Sequence, residues 1–505
     1  MNKVYTITIS LIVALGGFLL GFDSAVISGA VSGIRTYFTM TDWELGFAVG
    51  CVIFGAMGGN LVAGPLSDKF GRKKVLLFTA LLFTISASWS ALASDYTSFI
   101  IARIIGGIGI GAAILIAPIY IAEIAPPKLR GSLVSLNQLN IVIGISAAYF
   151  SNYFLKDIAG ESWRWMLGVE AIPAFIYFLA LFYIPKSPRW LINKYQNFDK
   201  ASKILTKIGG FNFANETINS LKNSTTKNIE KVSLKSFFSK KMTLILVIAF
   251  GLAFFQQITG INAIFYYAPT IFEQAGGTTD ASFLQAIVVG LTNLIFTLVA
   301  IWLIDKLGRK PLLIIGTLAM TIALSMASFA FYKSSYQVSK NAIESIDDLA
   351  IQTSIKTLDG KTFSSSKTFL AEVKPLLTNG MFDTFKNSYM KEFITINANM
   401  VLVAILLYVA AFAISLGPVM WTMLSEIFPT NLKGIAISIV GFFNSLVSFA
   451  VTQVFPWELN NIGPTATFAI YAILSFLAVL FVLKFVVETK GKSLEEVQKV
   501  LLKSS

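Results

Sequence analysis

A chain of 505 residues that is 55% hydrophobic and 13% charged, with a mean hydropathy of +0.71, is too apolar for a soluble protein and reads as a polytopic membrane protein. The formal charge of +13 does not mark a nucleic-acid partner, because the Lys and Arg residues sit in short loops between apolar segments, as they do on the cytoplasmic side of membrane proteins. One cysteine, Cys51, and no histidine exclude a disulfide framework, Cys- and His-based metal sites and His-dependent triads, so neither a metal, a cofactor nor an enzyme is expected.

Residues 5–30 are apolar and end in no small-residue cleavage site, which makes them a first span and not a removed signal. About 20 apolar residues cross a bilayer, and further spans are expected at 43–66, 75–93, 96–123, 132–155 and 164–185. A polar stretch, 186–241, follows with twelve Lys and Arg against three acids, and carries short helical patterns at 198–208 and 230–238. Six more spans fall near 243–272, 282–304, 312–332, 395–424, 434–457 and 464–487, and 492–502 reads as an amphipathic helix. The basic loops at 67–74, 128–130, 186–241, 305–310 and 490–492 put both termini and the central stretch in the cytoplasm. Residues Lys333 to Phe393, with eight Lys and seven acids, lie on the opposite face by their position between two spans. Their scattered Leu, Phe and Ile suit a small, partly folded lid or a disordered loop.

The chain repeats itself. GPLSDKFGRKK (Gly64–Lys74) returns as DKLGRKP (Asp305–Pro311), AEIAPPKLRG (Ala122–Gly131) as SEIFPTNLKG (Ser425–Gly434), and IPKSPRWL (Ile184–Leu191) faces VETKGKSLEE (Val487–Glu496). Three motifs in one order mean a duplicated six-span unit. Glu123 to Lys186 is 63 residues and Glu426 to Glu488 is 62, whereas Asp68 to Glu123 is 55 and Asp305 to Glu426 is 121, so the second copy carries the insertion. The expected organisation is a bundle at 1–185, cytoplasmic linker helices at 186–241, and a second bundle at 242–487. The insertion occupies 334–393, and a cytoplasmic C-terminal helix 488–505. GGIGIG (Gly106–Gly111) follows no strand and lies in an apolar helix, so it is a helix-packing stripe and not a dinucleotide fingerprint.

The acid–base groups at span ends, Asp68, Arg72, Glu123 and Arg130 in one half and Asp305, Arg309, Glu426 and Lys433 in the other, are either interface anchors or a cytoplasmic latch joining the halves; their symmetric repetition favours the latch. Asp23 in GGFLLGFDSAVISG and Arg103 in IARIIGGIG lie deep in spans, where each charge costs about 2.5–3.5 kcal/mol on insertion scales. Such a pair either binds helices together or takes up a proton, since desolvation and a nearby guanidinium act on the acid in opposite senses. Asp23 is the best proton site, and Glu170 in the sixth span a second candidate. Gln138, Gln256, Gln257, Asn262, Tyr266, Asn293, Trp421 and Asn444 place polar groups and an indole in five spans. Amides that both donate and accept suit the hydroxyls of a neutral polyol, and an indole suits the face of a sugar ring.

Together GFDSAVISG, GPLSDKFGRKK, RIIGGIGIG, PPKLRGSL, KSPRWL, FFQQITGIN, DKLGRKP, GPVMW, SEIFP and ETKGKSLEE resemble the sugar porters of the major facilitator superfamily over nearly the whole chain except 334–393. The pattern is similar to the bacterial D-xylose–proton symporters and the animal glucose facilitators. The resemblance implies an all-α fold of twelve transmembrane helices in two pseudo-symmetric six-helix bundles. It implies that Gln138, Gln256, Gln257, Asn262, Asn293 and Trp421 bind sugar, and that Asp23 matches the symporters' proton-accepting acid. Ile145, Phe265 and Asn444 agree with the glucose facilitators, whereas Ser445 replaces a Trp of both relatives and Lys186 the acid of PESPRW. The implied function is proton-coupled import of a monosaccharide, a hexose such as glucose or D-xylose, by a monomeric carrier in the bacterial cytoplasmic (inner) membrane. A proton-independent facilitator and a transporter-like nutrient sensor are the alternatives.

Overall fold

The structure is a computed structural model that describes residues 2–126, 129–225, 237, 242–429, 432–492 and 496. Among the described residues, ten helical stretches are long and apolar enough to cross a membrane. The last of them, 433–485, is two spans, Lys433–Trp457 and Gly463–Phe485, parted by a wide turn and by Gly463 at φ +83°. The sixth span escapes a length criterion because it breaks into Ser162–Gly168 and Ala171–Ala180. The chain is thus an integral membrane protein with twelve spans: Lys3–Tyr37, Asp42–Phe70, Arg72–Leu92, Tyr96–Ile124, Arg130–Leu155 and the broken sixth, then a seventh from Thr243, Thr279–Leu307, Arg309–Tyr332, a tenth from Ala398 and the final pair.

The duplication reaches the backbone. Gly71 between the second and third spans and Gly308 between the eighth and ninth hold φ +92° and +96°, a region open to glycine and costly for other residues. Each reverses the chain in one residue, and each carries the repeated basic motif at the same end of its bundle. Within the first half the glycine stripes act as expected. A Cβ on Gly107 or Gly111 would overlap the carbonyl oxygens of Val52 or Ala56, so the second and fourth spans meet backbone to backbone.

One face carries the N-terminus, the repeated basic motifs and the linker helices Pro188–Tyr195, Phe198–Gly209 and Phe211–Thr225; it is called here the terminal face. The Asn2 amide donates to the Ile208 carbonyl, tying the first span to these helices. Of the two further expected helices, 230–238 and 492–502, nearly all residues lie outside those described. The opposite, insertion face carries residues 334–393, which are folded. A three-stranded antiparallel sheet of order β2-β1-β3 joins Ser335–Gln337 (β1) to Thr362–Phe363 (β2) and Ile394–Thr395 (β3). Beneath it, short helices bury Ile351, Ile355, Phe369, Phe385 and Phe393 in a core separate from the spans. The segment is folded, so the expectation of a disordered loop falls.

The halves meet through the second and eleventh spans and through the fifth and eighth. Gly46 lies so close to the eleventh span that a Cβ would overlap the Gln453 carbonyl oxygen, and Gln453 Nε2 donates to the Trp43 carbonyl at 2.7 Å. Ser146 Oγ donates to Gly290 O at 3.0 Å and Tyr149 Oη to Phe265 O at 2.8 Å. Each of these contacts lies toward the insertion face. The cleft between the halves is open toward the terminal face, where Gln138 is exposed and Trp421 is 43% exposed.

Candidate functional site: a cleft between two bundles

The site forms where two helices of the second half lose their regular hydrogen bonding. Pro418 has no N–H, and its ring clashes with the carbonyl four residues back. The tenth span accordingly breaks at Ser415 (φ −124°, ψ −100°) into Ala398–Ile414 and Leu416–Ile427. The seventh breaks at Gly260 (φ +95°) between Thr243–Ile258 and Ile261–Tyr266. Side chains bridge the segments on either side of these breaks. Gln256 Nε2 donates to Leu416 O at 2.9 Å and Gly417 O at 3.3 Å, and Tyr408 Oη to Thr259 O at 2.9 Å.

Around these breaks the amides interlock. Asn444 Nδ2 donates to Ala253 O and to Gln256 Oε1, both at 2.9 Å. Gln257 Nε2 donates to Asn444 Oδ1 at 3.1 Å, and Asn262 Nδ2 to Gln257 Oε1 at 2.9 Å and to Ser448 Oγ at 2.5 Å. The structure therefore brings four expected residues, Gln256, Gln257, Asn262 and Asn444, into one network. Ser448 is a fifth member that the sequence reading missed, although its place one turn beyond Asn444 was a usable signal. Asn293 is buried one turn from Gly290, against which the fifth span packs, and takes no hydrogen bond among the described residues. Trp421 lies nearly two turns past the tenth-span break, and Gln138 is exposed on the fifth span. Ile145 and Phe265 are both buried, the latter bonded through its carbonyl to Tyr149, one turn after Ile145.

The first half supplies charge. Arg103 Nη1 donates to Asp23 Oδ1 at 2.5 Å and Nη2 to Oδ2 at 3.4 Å, and each residue is 3% exposed. Glu170 is also buried and interacts electrostatically with both. Tyr266, from the half that holds the amides, lies within hydrogen-bonding reach of Ser24, the neighbour of Asp23. A side chain of the amide half thus touches the helix that carries the buried acid.

In this state the span-end charges among the described residues pair within each half. Arg72 bonds Asp68 at 3.0 Å and Glu123 at 3.0 Å, and Glu123 also accepts from Ser187. In the second half Arg309 bonds Asp305 at 3.4 Å and Glu426 at 2.8 Å, and Glu426 accepts from Thr489 Oγ1 at 2.6 Å. The geometry explains this: each arginine follows its acid by one helical turn and points at the end of a span in its own bundle. Lys433 pairs with no carboxylate among the described residues, and the Arg130 side chain lies outside them. Partial burial works to raise the Glu488 carboxyl, but the backbone N–H groups of Lys490, Arg309, Lys310 and Thr489 outweigh it and hold it below the ordinary glutamate value. Its contribution is therefore present at neutral pH and is lost as pH falls through that lowered value.

Polar bridges between the halves sit instead on the insertion face. Asp42 accepts from Asn460 at 2.6 Å and Asn461 at 3.4 Å, and Lys156 pairs with Asp280 as well as Asp157. Those two carboxylates push the Lys156 ammonium above its ordinary value.

The sequence profile of the family described as "Sugar (and other) transporter" matches residues 9–346 and 376–501. The chain is 37% identical over 506 residues to the arabinose-proton symporter of Bacillus subtilis, covering 99% of this chain and 96% of that one. It is 34% identical to the D-xylose-proton symporter of Escherichia coli, covering 98% and 96%. Among solved structures it resembles the inward-open conformation of the E. coli xylose transporter XylE, with a TM-score of 0.76, 33% identity, and 98% and 100% of the two chains covered.

Proposed function

This chain belongs to the sugar transporter family, and on that premise we propose that it is a proton-coupled monosaccharide symporter working by alternating access, with a hexose such as glucose, or D-xylose, as solute. What supports this reading is an amide network fit for sugar hydroxyls in the second half, whose short helix Ile261–Tyr266 packs on the first span, and on that span a buried carboxylate–guanidinium pair fit for proton exchange. The basic loops support placing the terminal face in the cytoplasm of a bacterium, with the chain acting alone in the inner membrane. In that placement the present state is open to the cytoplasm. The symmetric charge clusters brace each bundle so that it moves as one body, and the sugar lies against Gln138, Gln256, Gln257, Asn262, Asn293, Trp421 and Asn444. A potential of 100 mV supplies about 2.3 kcal/mol per proton. Counterflow of labelled sugars in proteoliposomes, with unlabelled competitors and an imposed pH gradient, tests the reading. Accumulation above the external concentration supports it, and equilibration without accumulation favours a facilitator.

Gln257→Ala and Asn262→Ala are expected to weaken sugar binding while leaving the protein folded. Each removes hydrogen bonds worth about 0.5–1.5 kcal/mol, roughly a three- to tenfold loss of affinity. Isothermal titration of the purified variants reads this directly, and unchanged affinity in both moves the site elsewhere.

Deleting residues 334–392 and rejoining the ninth and tenth spans with a short flexible linker is expected to leave maximal transport intact, because the insertion keeps its own core and the first half works without one. A deletion variant that fails to enter the membrane would show that the insertion is part of the bundle.

A further inference from the structure

Between the insertion and the outer ends of both bundles lies a cavity of about 600 Å³, within the range of about 300–1,000 Å³ typical of small-molecule sites. Three bodies build it: Arg35 from the first span, Gln274 and Asn461 from the second half, and Tyr336 and Lys386 from the insertion. Its wall is chemically mixed in a particular way. Amides and tyrosines recur around it, and the two cations are matched by two carboxylates, Glu273 in the wall and Asp42, which bonds Arg35 at 2.7 Å. A balanced, amide-rich and aromatic wall suits a neutral polyhydroxylated ligand better than an ion.

We propose that this cavity is a second saccharide site, a receiving vestibule roofed by the insertion, which holds a neutral monosaccharide while the central cleft faces the other side. The inference rests on the reading of the chain as a sugar symporter. Its floor is the seal between the halves. Asn460 and Asn461 line the cavity and also donate to Asp42 across the bundle interface. Hydroxyls that take up these amides withdraw them from Asp42, so filling the vestibule weakens the bridge that must part before the solute moves inward. The insertion thereby has a use: without it Tyr336 and Lys386 are gone and the cavity is an open dish.

The test is equilibrium dialysis of labelled D-glucose and D-xylose against the full chain in lipid nanodiscs, where both faces are accessible. The wild type is expected to bind two equivalents. Gln257→Ala combined with Asn262→Ala should weaken one and leave the other. Lys386→Ala combined with Gln274→Ala should weaken that other by about two- to twelvefold for each hydrogen bond lost, with the central equivalent unchanged. Removal of 334–392 should abolish it. A wild type that binds a single equivalent, weakened by the Gln257 and Asn262 changes, overturns the vestibule and leaves the symporter reading standing. A second equivalent indifferent to Lys386, Gln274 and the insertion also overturns it. A wild type that binds neither sugar removes the symporter reading and the vestibule together.

Discussion

Asp23→Asn is expected to abolish proton-driven accumulation while sugar exchange down its own gradient survives. Asparagine keeps the shape and hydrogen bonding of a protonated aspartic acid but has no proton to release. If reorientation with sugar requires the neutral acid, the amide holds that state permanently. The substitution also strips Arg103 of its carboxylate, and breaking a buried pair by removing one partner commonly costs about 3–5 kcal/mol. Here Glu170 stands close enough to interact with the guanidinium, so the charge keeps an acidic neighbour and the fold is expected to hold. Counterflow and pH-driven uptake, measured on the same proteoliposomes, separate the outcomes. Loss of yield and exchange together would make the pair structural glue. A variant that still concentrates sugar in response to protons would remove Asp23 as the coupling group and pass the role to Glu170.

Gly46→Trp is expected to stop transport altogether without unfolding the protein. Even a Cβ at this position overlaps the backbone oxygen of Gln453 in the opposing bundle, and a helical backbone cannot yield as a side-chain tip does. An indole therefore forbids the approach of the second and eleventh spans that seals the insertion face. The state described here becomes inaccessible, and the carrier is held open on that face. Uptake should fall to the level of empty vesicles while sugar binding to the purified variant persists. Normal turnover in this variant would show that the halves part and close along some other line.

What was legible in the sequence follows from what is expensive. Asp23 and Arg103 stand out because charge in an apolar span is costly, and the structure pairs them. The repeat stands out because short basic turns recur, and Gly71 and Gly308 show the same turn in space. The amides of the seventh span and Asn444 stand out for the same reason as the charges, and they interlock. Asp42, Lys156, Asp280, Asn460 and Asn461 did not stand out. They sit at span ends, where polar groups are cheap and common, and only the approach of the two bundles makes bridges of them. The span-end arginines were legible as groups but not as pairs, because choosing between a partner in the same bundle and one in the other needs distances. Nor could the insertion be read, since β1 pairs with segments about 25 and 60 residues away along the chain and its burial pattern is spread over helices of five to eight residues.

The interlocked amides bear on how firmly the protein can hold its cargo. Gln256, Gln257, Asn262 and Asn444 spend their amide donors on one another, on Ser448 and on backbone carbonyls. In the proposed site an arriving hydroxyl exchanges for a bond that existed, so each contact adds only about 0.5–1.5 kcal/mol and the protein acts as its own competitor. Grip is modest by construction, and letting go leaves no stranded polar group behind. The unloaded carrier is then as comfortable as the loaded one, and its homeward stroke needs no passenger.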